Sequence, residues 1–352
     1  MKKPTILIIG PDAKGGISSV IDIYKDFGVI DNDKVKFLSS YKNNNVFLRL
    51  IVFGLFLIEY IWTLLINKEL QVIHIHSASE GSFYRKFFVF KLAKLFGKKV
   101  IYHIHCPVFF EIYEESPNFI KRRIQEVLNN SDLIIVLSQY GQTEISRICN
   151  NKNIKILYNP CVIKNFTKIS TEKINVLFMG RIGKRKGVYD IIEGGKYIQN
   201  NDIIINLYGD GALKDLKEFQ NLINKNNLQD KVKFYGWISA DKKDEAYRSA
   251  DIYILPSYEE ALPMSVLEAM SYELPVISTP VGGTPEAVED SVNGFLIQSG
   301  DYKTLAEKIN LLAGDKELRK KMGQESLRIA KEKFDVNVII KQLRQIYDEL
   351  IK

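Results

Sequence analysis

Cysteine is scarce in this chain, which has three among 352 residues. Cys106, Cys149 and Cys161 form no C-x-x-C pair, and three thiols cannot all pair within one chain. Small disulfide scaffolds and structural zinc sites depend on closely spaced cysteines, so both classes are excluded. The scarcity also fits a protein of a reducing compartment.

The marks of a nucleic-acid-binding protein are missing too. The sequence has no long Lys/Arg stripe, no zinc-finger spacing and no RNA-binding signature. Its formal net charge is nonetheless +7, and a moderately basic balance favours an anionic partner. We therefore expect a phosphorylated ligand or a membrane surface as partner, and no nucleic acid.

Long uninterrupted hydrophobic runs are also absent. The N-terminal run is too short for a secretory signal and ends in a turn at residues 10–12, so it is typical of a first strand. A longer apolar stretch, residues 46–67, contains Arg49 and Glu59. Three interpretations stay open for this stretch: a helix partly buried in the first domain, an interfacial helix on a membrane, or a membrane span.

What the sequence does contain is an alternation of short apolar runs with amphipathic stretches. Apolar residues make up 46% of the chain, as in globular proteins. Strands alternating with helical periodicity predict an α/β fold with doubly wound parallel sheets. The predicted strands are Thr5–Ile9, Val35–Leu38, Val72–His76, Val100–His105, Leu133–Leu137, Ile174–Met179, Ile203–Tyr208, Val232–Tyr235, Ile252–Leu255, Val276–Ser278 and Phe295–Ile297.

The pattern stops and restarts, which predicts two Rossmann-like domains. Pro160 and the polar run 168–173 mark the join. We assign residues 1–165 to the first domain and 166–335 to the second, and expect a last helix, 336–352, to pack back on the first. Parallel sheets bind ligands outside the carboxyl ends of their strands, so two facing domains would hold a ligand in the cleft between them.

Two glutamates, Glu260 and Glu268, follow the apolar strand Ile252–Leu255 and flank the start of a helix. Carboxylates accept hydrogen bonds from hydroxyls, and helix N-termini bind phosphates. A ligand with both groups, such as a sugar nucleotide, would fit. The alternative is that Ser265-x-x-Glu268 is only a capping box and Glu260 a solvated loop charge.

A second motif, residues 180–187, joins a strand to a helix through glycines and cations. Arg181 offers a planar fork for diphosphate oxygens and Lys186 a point charge. The glycine spacing is not that of a Walker loop. A solvated basic turn is the alternative, and Lys184 and Arg185 are expected to be solvated.

Glycines at other strand ends predict close approach of the backbone to a ligand. Gly15 and Gly16 follow the first strand, where a plain strand–helix turn is the alternative, and Gly209 follows Ile203–Tyr208. After the next strand, the backbone of Trp237 and Ile238 could bind a flat base, although packing would explain Trp237 equally well.

All four histidines fall in two alternating pairs at strand ends, His74 with His76 and His103 with His105. Alternation puts both members of a pair on one face of their strand. No acidic residue nearby completes a ligand set, so no metal is expected. As the last histidine of its strand, His105 is the best candidate to contact a ligand, while packing is the alternative for each.

Taken together, these residues resemble the retaining glycosyltransferases of family 4, which have the GT-B fold. The resemblance spans most of the chain and is strongest from Ile174 to Ile297. The matching features are Gly15-Gly16, His105, Asn159-Pro160, Gly180-Arg181, Lys186-Gly187, Ala250-Asp251, Pro256-Ser257, Glu260 with Glu268, Pro275-Val276, Gly282-Gly283 and Glu286. Ala261 departs from the family, which usually has glycine there.

The resemblance implies roles for the candidate site residues. Arg181 and Lys186 would hold the donor diphosphate, Glu260 the donor sugar and Glu268 the ribose, while His105 would lie near the transferred sugar. The backbone of Leu262, Pro263, Met264, Ser265 and Val266 would reach the donor phosphate or sugar, and that of Gly15 and Gly16 the phosphate.

The implied function is transfer of a sugar, with retention, from a UDP-sugar or alternatively a GDP-sugar, without a cofactor or a required metal. The acceptor would be a glycan or lipid-linked glycan of capsule, exopolysaccharide or lipopolysaccharide assembly. The expected location is the cytoplasm, peripheral at the inner face of the plasma membrane, where residues 46–67 could touch lipid. The alternatives are a sugar-nucleotide epimerase of the same fold and a non-catalytic subunit that binds sugar nucleotides.

Overall fold

The computed structural model describes residues 4–12, 15–42, 46–78 and 80–351. The chain forms two compact units, residues 1–160 with 336–352, and residues 161–335. The sequence placed the boundary at 165, and the last helix belongs to the first unit.

The first unit is built on a six-stranded, all-parallel sheet in the order β2-β1-β3-β4-β5-β6. The chain reverses its direction of travel across the sheet between β1 and β3. Its elements are β1 Ile6–Asp12, α1 Gly16–Asp26, β2 Val35–Lys42, α2 Val46–Ile66, β3 Val72–Ser77, α3 Glu80–Leu95, β4 Lys99–Ile104, α4 Phe109–Glu115, α5 Asn118–Asn130, β5 Leu133–Val136, α6 Gln139–Ile148, β6 Ile154–Ile156 and α14 Val336–Ile351.

The second unit has the same plan, with the strand order β12-β11-β10-β7-β8-β9, again all parallel. Its elements are β7 Ile174–Met179, a 3₁₀ turn Lys184–Lys186, α7 Val188–Gly195, β8 Ile203–Tyr208, α8 Leu213–Lys225, β9 Val232–Phe234, α9 Ala240–Ser249, β10 Ile252–Leu255, α10 Met264–Ser271, β11 Val276–Ser278, α11 Thr284–Ala287, β12 Gly294–Leu296, α12 Tyr302–Gly314, α13 Lys316–Ile329 and a π-helical turn Ala330–Phe334.

Central strands are buried on both faces, as their continuous apolar sequence requires. Every residue of β3 and of β10 is buried. The predicted class, two doubly wound parallel sheets, is therefore confirmed. The predicted strands are all present with small shifts at their ends, whereas β6 was missed.

Helix α2 answers part of the question left open for residues 46–67. Phe56, Tyr60 and Leu64 lie on one face of α2 and are buried in the apolar core of the first unit. The helix is thus anchored in the unit by this face. In the described part of the chain, no helix combines the length and apolar character needed to cross a membrane.

Candidate active site

The strand order of the second unit points to one place on its sheet. Strands β8 and β9 extend the sheet on one side of β7, while β10, β11 and β12 extend it on the other. The two directions diverge between β7 and β10, and ligands of open α/β sheets bind beyond the carboxyl ends of the strands at such a point. The loops that follow β7 and β10 carry the predicted Arg181, Lys186 and Glu260.

Glycine at position 187 lets these two loops meet. Gly187 is in the left-handed region, with φ of 69°, and a Cβ there would lie 1.9 Å from the carbonyl oxygen of Pro256. The Tyr258 amide donates to the carbonyl of Arg185 at 2.8 Å, and Arg185 Nη1 donates to the carbonyl of Glu259 at 3.1 Å. Arg185 therefore ties the loops together, which corrects the expectation that it is only solvated.

Lys186 and Glu260 form an ion pair where the loops meet. The same Glu260 Oε1 accepts a hydrogen bond from Ser257 Oγ at 2.7 Å. Glu260 is only 7% exposed, so burial of its carboxylate depends on these two partners. The alternative of a solvated loop charge is wrong for Glu260.

Arg181 is exposed at the end of β7. Among the residues that the structure describes, no carboxylate lies within ion-pair distance of its guanidinium. A cation without a protein counter-charge is suited to a phosphate, which its planar fork can bind through two oxygens.

Glu268 lies on α10, and both of its carboxylate oxygens have partners from α9. Lys243 Nζ contacts Oε1 at 2.5 Å, and the Tyr247 hydroxyl donates to Oε2 at 2.9 Å. The capping-box interpretation is wrong, since α10 is capped by Pro263 without a side-chain hydrogen bond. Glu268 keeps a side-chain exposure of 23%, so a ligand can still reach it.

Lys243 and Tyr247 are site residues that the sequence did not suggest. They are four apart on α9, which puts them on one face of that helix. Burial raises the pKa of Tyr247 well above its ordinary value, so its hydroxyl stays a donor to Glu268. The i, i+4 spacing was the available signal, but only the packed structure shows that this face meets Glu268.

The loop between the glutamates is fixed from a third side by two glycines. Gly282 has φ of 56°, and a Cβ there would lie 1.6 Å from the carbonyl oxygen of Glu260. The Gly283 amide donates to the carbonyl of Ala261 at 2.7 Å. The loops therefore approach each other this closely although Ala261 has a methyl group where the family usually has glycine.

The predicted backbone contacts of residues 262–266 fall at the start of α10. Leu262 and Pro263 are buried, and Val266 donates its amide to the carbonyl of Pro263 at 3.1 Å. Met264 and Ser265 occupy the first helical positions, whose amides have no partner within a helix. These two amides are thus better placed to bind an anion than that of Val266.

Glycines continue the backbone hydrogen bonding between neighbouring segments beyond the ends of β7, β8 and β9. Gly180 donates its amide to the carbonyl of Tyr208 at 3.0 Å, and Gly209 donates to that of Gly236 at 2.9 Å. A Cβ on Gly209 would lie 1.8 Å from the carbonyl oxygen of Gly180. The expectation for Gly209 was approach to a ligand, whereas the observed approach is to a neighbouring backbone.

Trp237 and Ile238 follow the end of β9. Trp237 is 58% exposed, and Ile238 is half-buried. Core packing therefore does not account for the Trp237 indole.

The remaining predicted residues lie in the first unit. Gly15 caps α1 with φ of 151°, and a side chain added at Gly15 or Gly16 would meet open space. His105 directly follows β4, and its amide donates to the carbonyl of Ser77 at 2.9 Å. His103 is 1% exposed and His105 is half-buried, so His105 is the more accessible of the two.

Among the described residues, three of the histidines also form a cluster that could ligate a metal ion. His74, His76 and His103 are buried, and their potential ligand atoms all lie within 4.8 Å of one another. Burial lowers the pKa of His105 and of His74 to about 3, so the rings are neutral near pH 7.

Comparison with known proteins shows that the part of the chain with this site is similar to glycosyltransferases. Residues 162–328 match the family described as Glycosyl transferases group 1. A 41.2 kDa protein of the cps region of Klebsiella pneumoniae is 28% identical over 86% of this chain and 88% of its own. The capsular polysaccharide biosynthesis glycosyltransferase CapM of Staphylococcus aureus is 25% identical over 54% of this chain, which spans only 50% of CapM.

The fold has a close counterpart among solved structures. Anabaena HepE, solved in complex with UDP-glucose, matches with a TM-score of 0.80 and 21% identity, over 98% of this chain and 99% of HepE. Together with the parallel sheets of both units, this match confirms the GT-B architecture.

Proposed function

We propose that this chain, a glycosyltransferase of the GT-B fold with a group 1 domain at residues 162–328, retains configuration when it transfers a sugar from a nucleotide-diphosphate sugar. The observation that carries the proposal is the meeting of Lys186 and Glu260 at the switch point of the second sheet. Arg181 is exposed and follows the end of β7, the strand next to β10. This set provides the cations for a diphosphate and a carboxylate for sugar hydroxyls.

In the proposed reaction, the bond between sugar C1 and the diphosphate oxygen breaks while the acceptor oxygen bonds to C1 on the same face. The leaving oxygen becomes negative, and Arg181 and Lys186 stabilise that charge. The proton of the acceptor hydroxyl passes to the departing phosphate. The cations belong to the chain itself, so we propose that the transfer needs no metal.

Glu260 acts in this proposal as a hydrogen-bond acceptor for donor-sugar hydroxyls and not as a nucleophile. Its Oε1 is occupied by Lys186 and Ser257, and a carboxylate held by a cation is a weaker nucleophile. A covalent intermediate on Glu260 is therefore not part of the proposed reaction, and retention comes from attack on the same face of C1. No glycosyl-enzyme adduct should be trapped by a fluorinated donor.

The nucleotide is proposed to lie along Glu268 and the end of β9. Glu268 would accept hydrogen bonds from the ribose hydroxyls, and Trp237 with the Ile238 backbone would hold the base. A UDP-sugar is the first choice, supported by the HepE complex with UDP-glucose, and a GDP-sugar is the alternative. The likeness to CapM supports capsular or related polysaccharide assembly as the setting.

The acceptor is proposed to be a lipid-linked glycan at the inner face of the membrane. Helix α2 supports this choice, because the face opposite its buried side is apolar and exposed. This membrane face consists of Ile51, Leu55, Ile58, Trp62 and Leu65, each 45–68% exposed. Apolar residues at this spacing, with a tryptophan among them, are typical of helices that lie in a membrane interface.

The test begins with a thermal-shift screen of the whole chain against sugar nucleotides, because a bound ligand raises the unfolding temperature. Turnover of the best donor is then measured for Arg181→Ala and Glu268→Ala. We expect both variants to fold and to lose at least about a hundredfold in turnover. Normal turnover in both would defeat the site assignment.

Product analysis separates the alternative functions. A transferase releases nucleoside diphosphate and forms a glycan only when acceptor is added. An epimerase would convert the donor without acceptor, and a non-catalytic subunit would bind the donor without releasing nucleoside diphosphate.

A further inference from the structure

The four histidines of the chain form one cluster at the carboxyl end of the first sheet. His76 on β3 is in register with His103 on β4. The ring centroids of His74 and His76 are 4.4 Å apart, those of His76 and His103 4.8 Å, and those of His103 and His105 4.1 Å. Alternation therefore gathers every imidazole of the protein on one face of two neighbouring strands.

Hydrogen bonds occupy these rings unevenly. His74 Nδ1 bonds to the Tyr347 hydroxyl at 2.7 Å, and His74 Nε2 to His103 Nδ1 at 3.2 Å. His76 Nδ1 bonds to His105 Nε2 at 2.9 Å. Within the described structure, His76 Nε2 and His103 Nε2 are buried without a hydrogen-bond partner. Buried polar atoms are rarely left unpaired, so each of these two nitrogens calls for a ligand.

One arrangement of protons satisfies every contact in the cluster. A neutral histidine ring has one N–H and one lone pair. If Nδ1 carries the proton in both His76 and His103, His76 donates to His105 and His103 donates to His74. His74 then donates from Nδ1 to Tyr347, and the lone pairs of His76 Nε2 and His103 Nε2 remain free.

This is the pattern of metal-ligating histidines, which donate the other ring N–H to a neighbouring acceptor that fixes the tautomer. Imidazole nitrogen suits zinc, copper, nickel and cobalt, whereas calcium and magnesium prefer oxygen. Zinc–nitrogen bonds are about 2.0–2.1 Å long, which puts two ligating nitrogens roughly 3.3 Å apart. One potential ligand nitrogen from each of His74, His76 and His103 lies within 4.8 Å of those of the other two, and the His76 and His103 ring centroids are 4.8 Å apart.

We propose that His76 Nε2 and His103 Nε2 bind one divalent transition-metal ion of the zinc class. With only two protein ligands, the remaining coordination positions are open to water or to an oxygen of a bound molecule. We therefore expect the ion to bind reversibly. The ion would also fix the His76 proton that is donated to His105. The proposal does not depend on the identity of the sugar donor, and its ligands belong to the first unit, whereas Arg181 and Lys186 belong to the second.

Cobalt(II) titration of the full-length chain without a histidine tag tests the proposal, because every imidazole then belongs to the cluster. We expect saturable binding of one Co²⁺ per chain, with visible bands of nitrogen and oxygen ligation, and displacement by Zn²⁺. Zn²⁺ should also raise the unfolding temperature of the wild-type chain. Absence of saturable binding, or binding that leaves the unfolding temperature unchanged, would overturn the proposal.

Variants locate the ion. His76→Asn with His103→Asn keeps an amide donor near the position of Nδ1 and removes Nε2, so Co²⁺ affinity should fall at least about a hundredfold. The matched control is Cys106→Ser, which alters a buried neighbouring thiol and should bind as wild type. Unchanged affinity in the double variant, or loss in the Cys106 variant, would show that other atoms hold the ion.

Discussion

At the scale of single residues, the Lys186–Glu260 pair is the most constrained feature of the candidate site. Both side chains are largely buried, with exposures of 15% and 7%. Removing one partner from such a pair leaves the other charge without compensation, which is more damaging than exchanging both. The pair therefore links the stability of the loops to the charge offered to a ligand.

We predict that Lys186→Ala lowers turnover of the sugar nucleotide by about 10²–10³-fold, because one cation facing the leaving phosphate is lost. The same variant should lose roughly 3 kcal/mol of unfolding free energy, since Glu260 stays buried without its cation. Steady-state kinetics and urea unfolding measure the two effects. Lys184→Ala is the control, an exposed lysine of the same 3₁₀ turn. Equal turnover in the two variants would remove Lys186 from the mechanism.

Lys86 is the second residue whose charge matters, and it lies in the first unit. Its side chain is 1% exposed, and its amino group contacts the Ser40 hydroxyl. Burial lowers the pKa of Lys86 well below its ordinary value of 10.5. The unfolded chain thus binds one more proton between the two pKa values, and the unfolding free energy rises with pH across that window.

Replacement of Lys86 by methionine should remove this dependence. At pH 7 we expect Lys86→Met to be more stable than wild type by about 1–3 kcal/mol, since an apolar chain of similar size replaces a buried base. The difference should shrink as the pH rises toward 10, by up to about 1.4 kcal/mol per pH unit. Urea unfolding at several pH values measures it, with Lys91→Met, exposed on the same helix, as control. A difference independent of pH would contradict the assignment.

At the scale of secondary-structure elements, α2 is unusual because it is apolar on two faces. Phe56, Tyr60 and Leu64 face the core. The residues of the membrane face recur every three or four positions along the opposite side of the helix. A contiguous row of exposed apolar side chains is typical of an interaction surface. The buried face explains why the helix forms, and the exposed face requires a different explanation.

We predict that Leu55→Glu with Trp62→Glu weakens binding to vesicles of phosphatidylglycerol and phosphatidylethanolamine by at least about tenfold. Both side chains are 62% exposed, so the fold should tolerate the change while the apolar area available to lipid falls. Flotation of the whole chain with vesicles measures the effect. Leu311→Glu, at an exposed leucine of α12, is the control. Undiminished flotation of the double variant would rule out the membrane face.

Elements and site residues differ in how far the sequence predicts them. Strands with continuous apolar runs, such as Ile252–Leu255, were predicted to the residue. The strand β6 was missed because Lys155 interrupts a run of three residues. Lys186 and Glu260 could be predicted because their loops follow strands at a shared sheet edge. The partners of Glu268 could not, because the packing of α9 against α10 leaves no local pattern.

The capping box was wrong for a related physical reason. Ser265 and Glu268 have the spacing of that motif, but Pro263 caps α10 and places Ser265 inside its first turn. The Glu268 side chain instead meets Lys243 and Tyr247, which provide a charge and a hydroxyl. Glu268 therefore binds a cation and a hydroxyl of a neighbouring helix and does not cap its own helix.

At the scale of the whole molecule, chain order and structural order differ. Residues 336–352 follow the second unit in sequence but belong to the first. Helix α14 buries Val336, Ile339, Ile340, Leu343, Ile346 and Tyr347. Lys99 Nζ also donates to the carbonyl of Leu350 at 2.7 Å. The first unit is therefore complete only when the last helix has been made.

This dependence predicts which unit loses stability when α14 is weakened. We expect Leu343→Ala to lower the unfolding free energy of the first unit by about 2–5 kcal/mol, because a fully buried leucine leaves a cavity. Hydrogen exchange read by mass spectrometry should show lost protection in peptides from residues 4–160, with peptides from 161–335 unchanged. Gln342→Ala, exposed on the same helix, should match wild type. Equal loss of protection in both units would mean that they unfold as one cooperative body, so that α14 stabilises the whole chain and not the first unit alone.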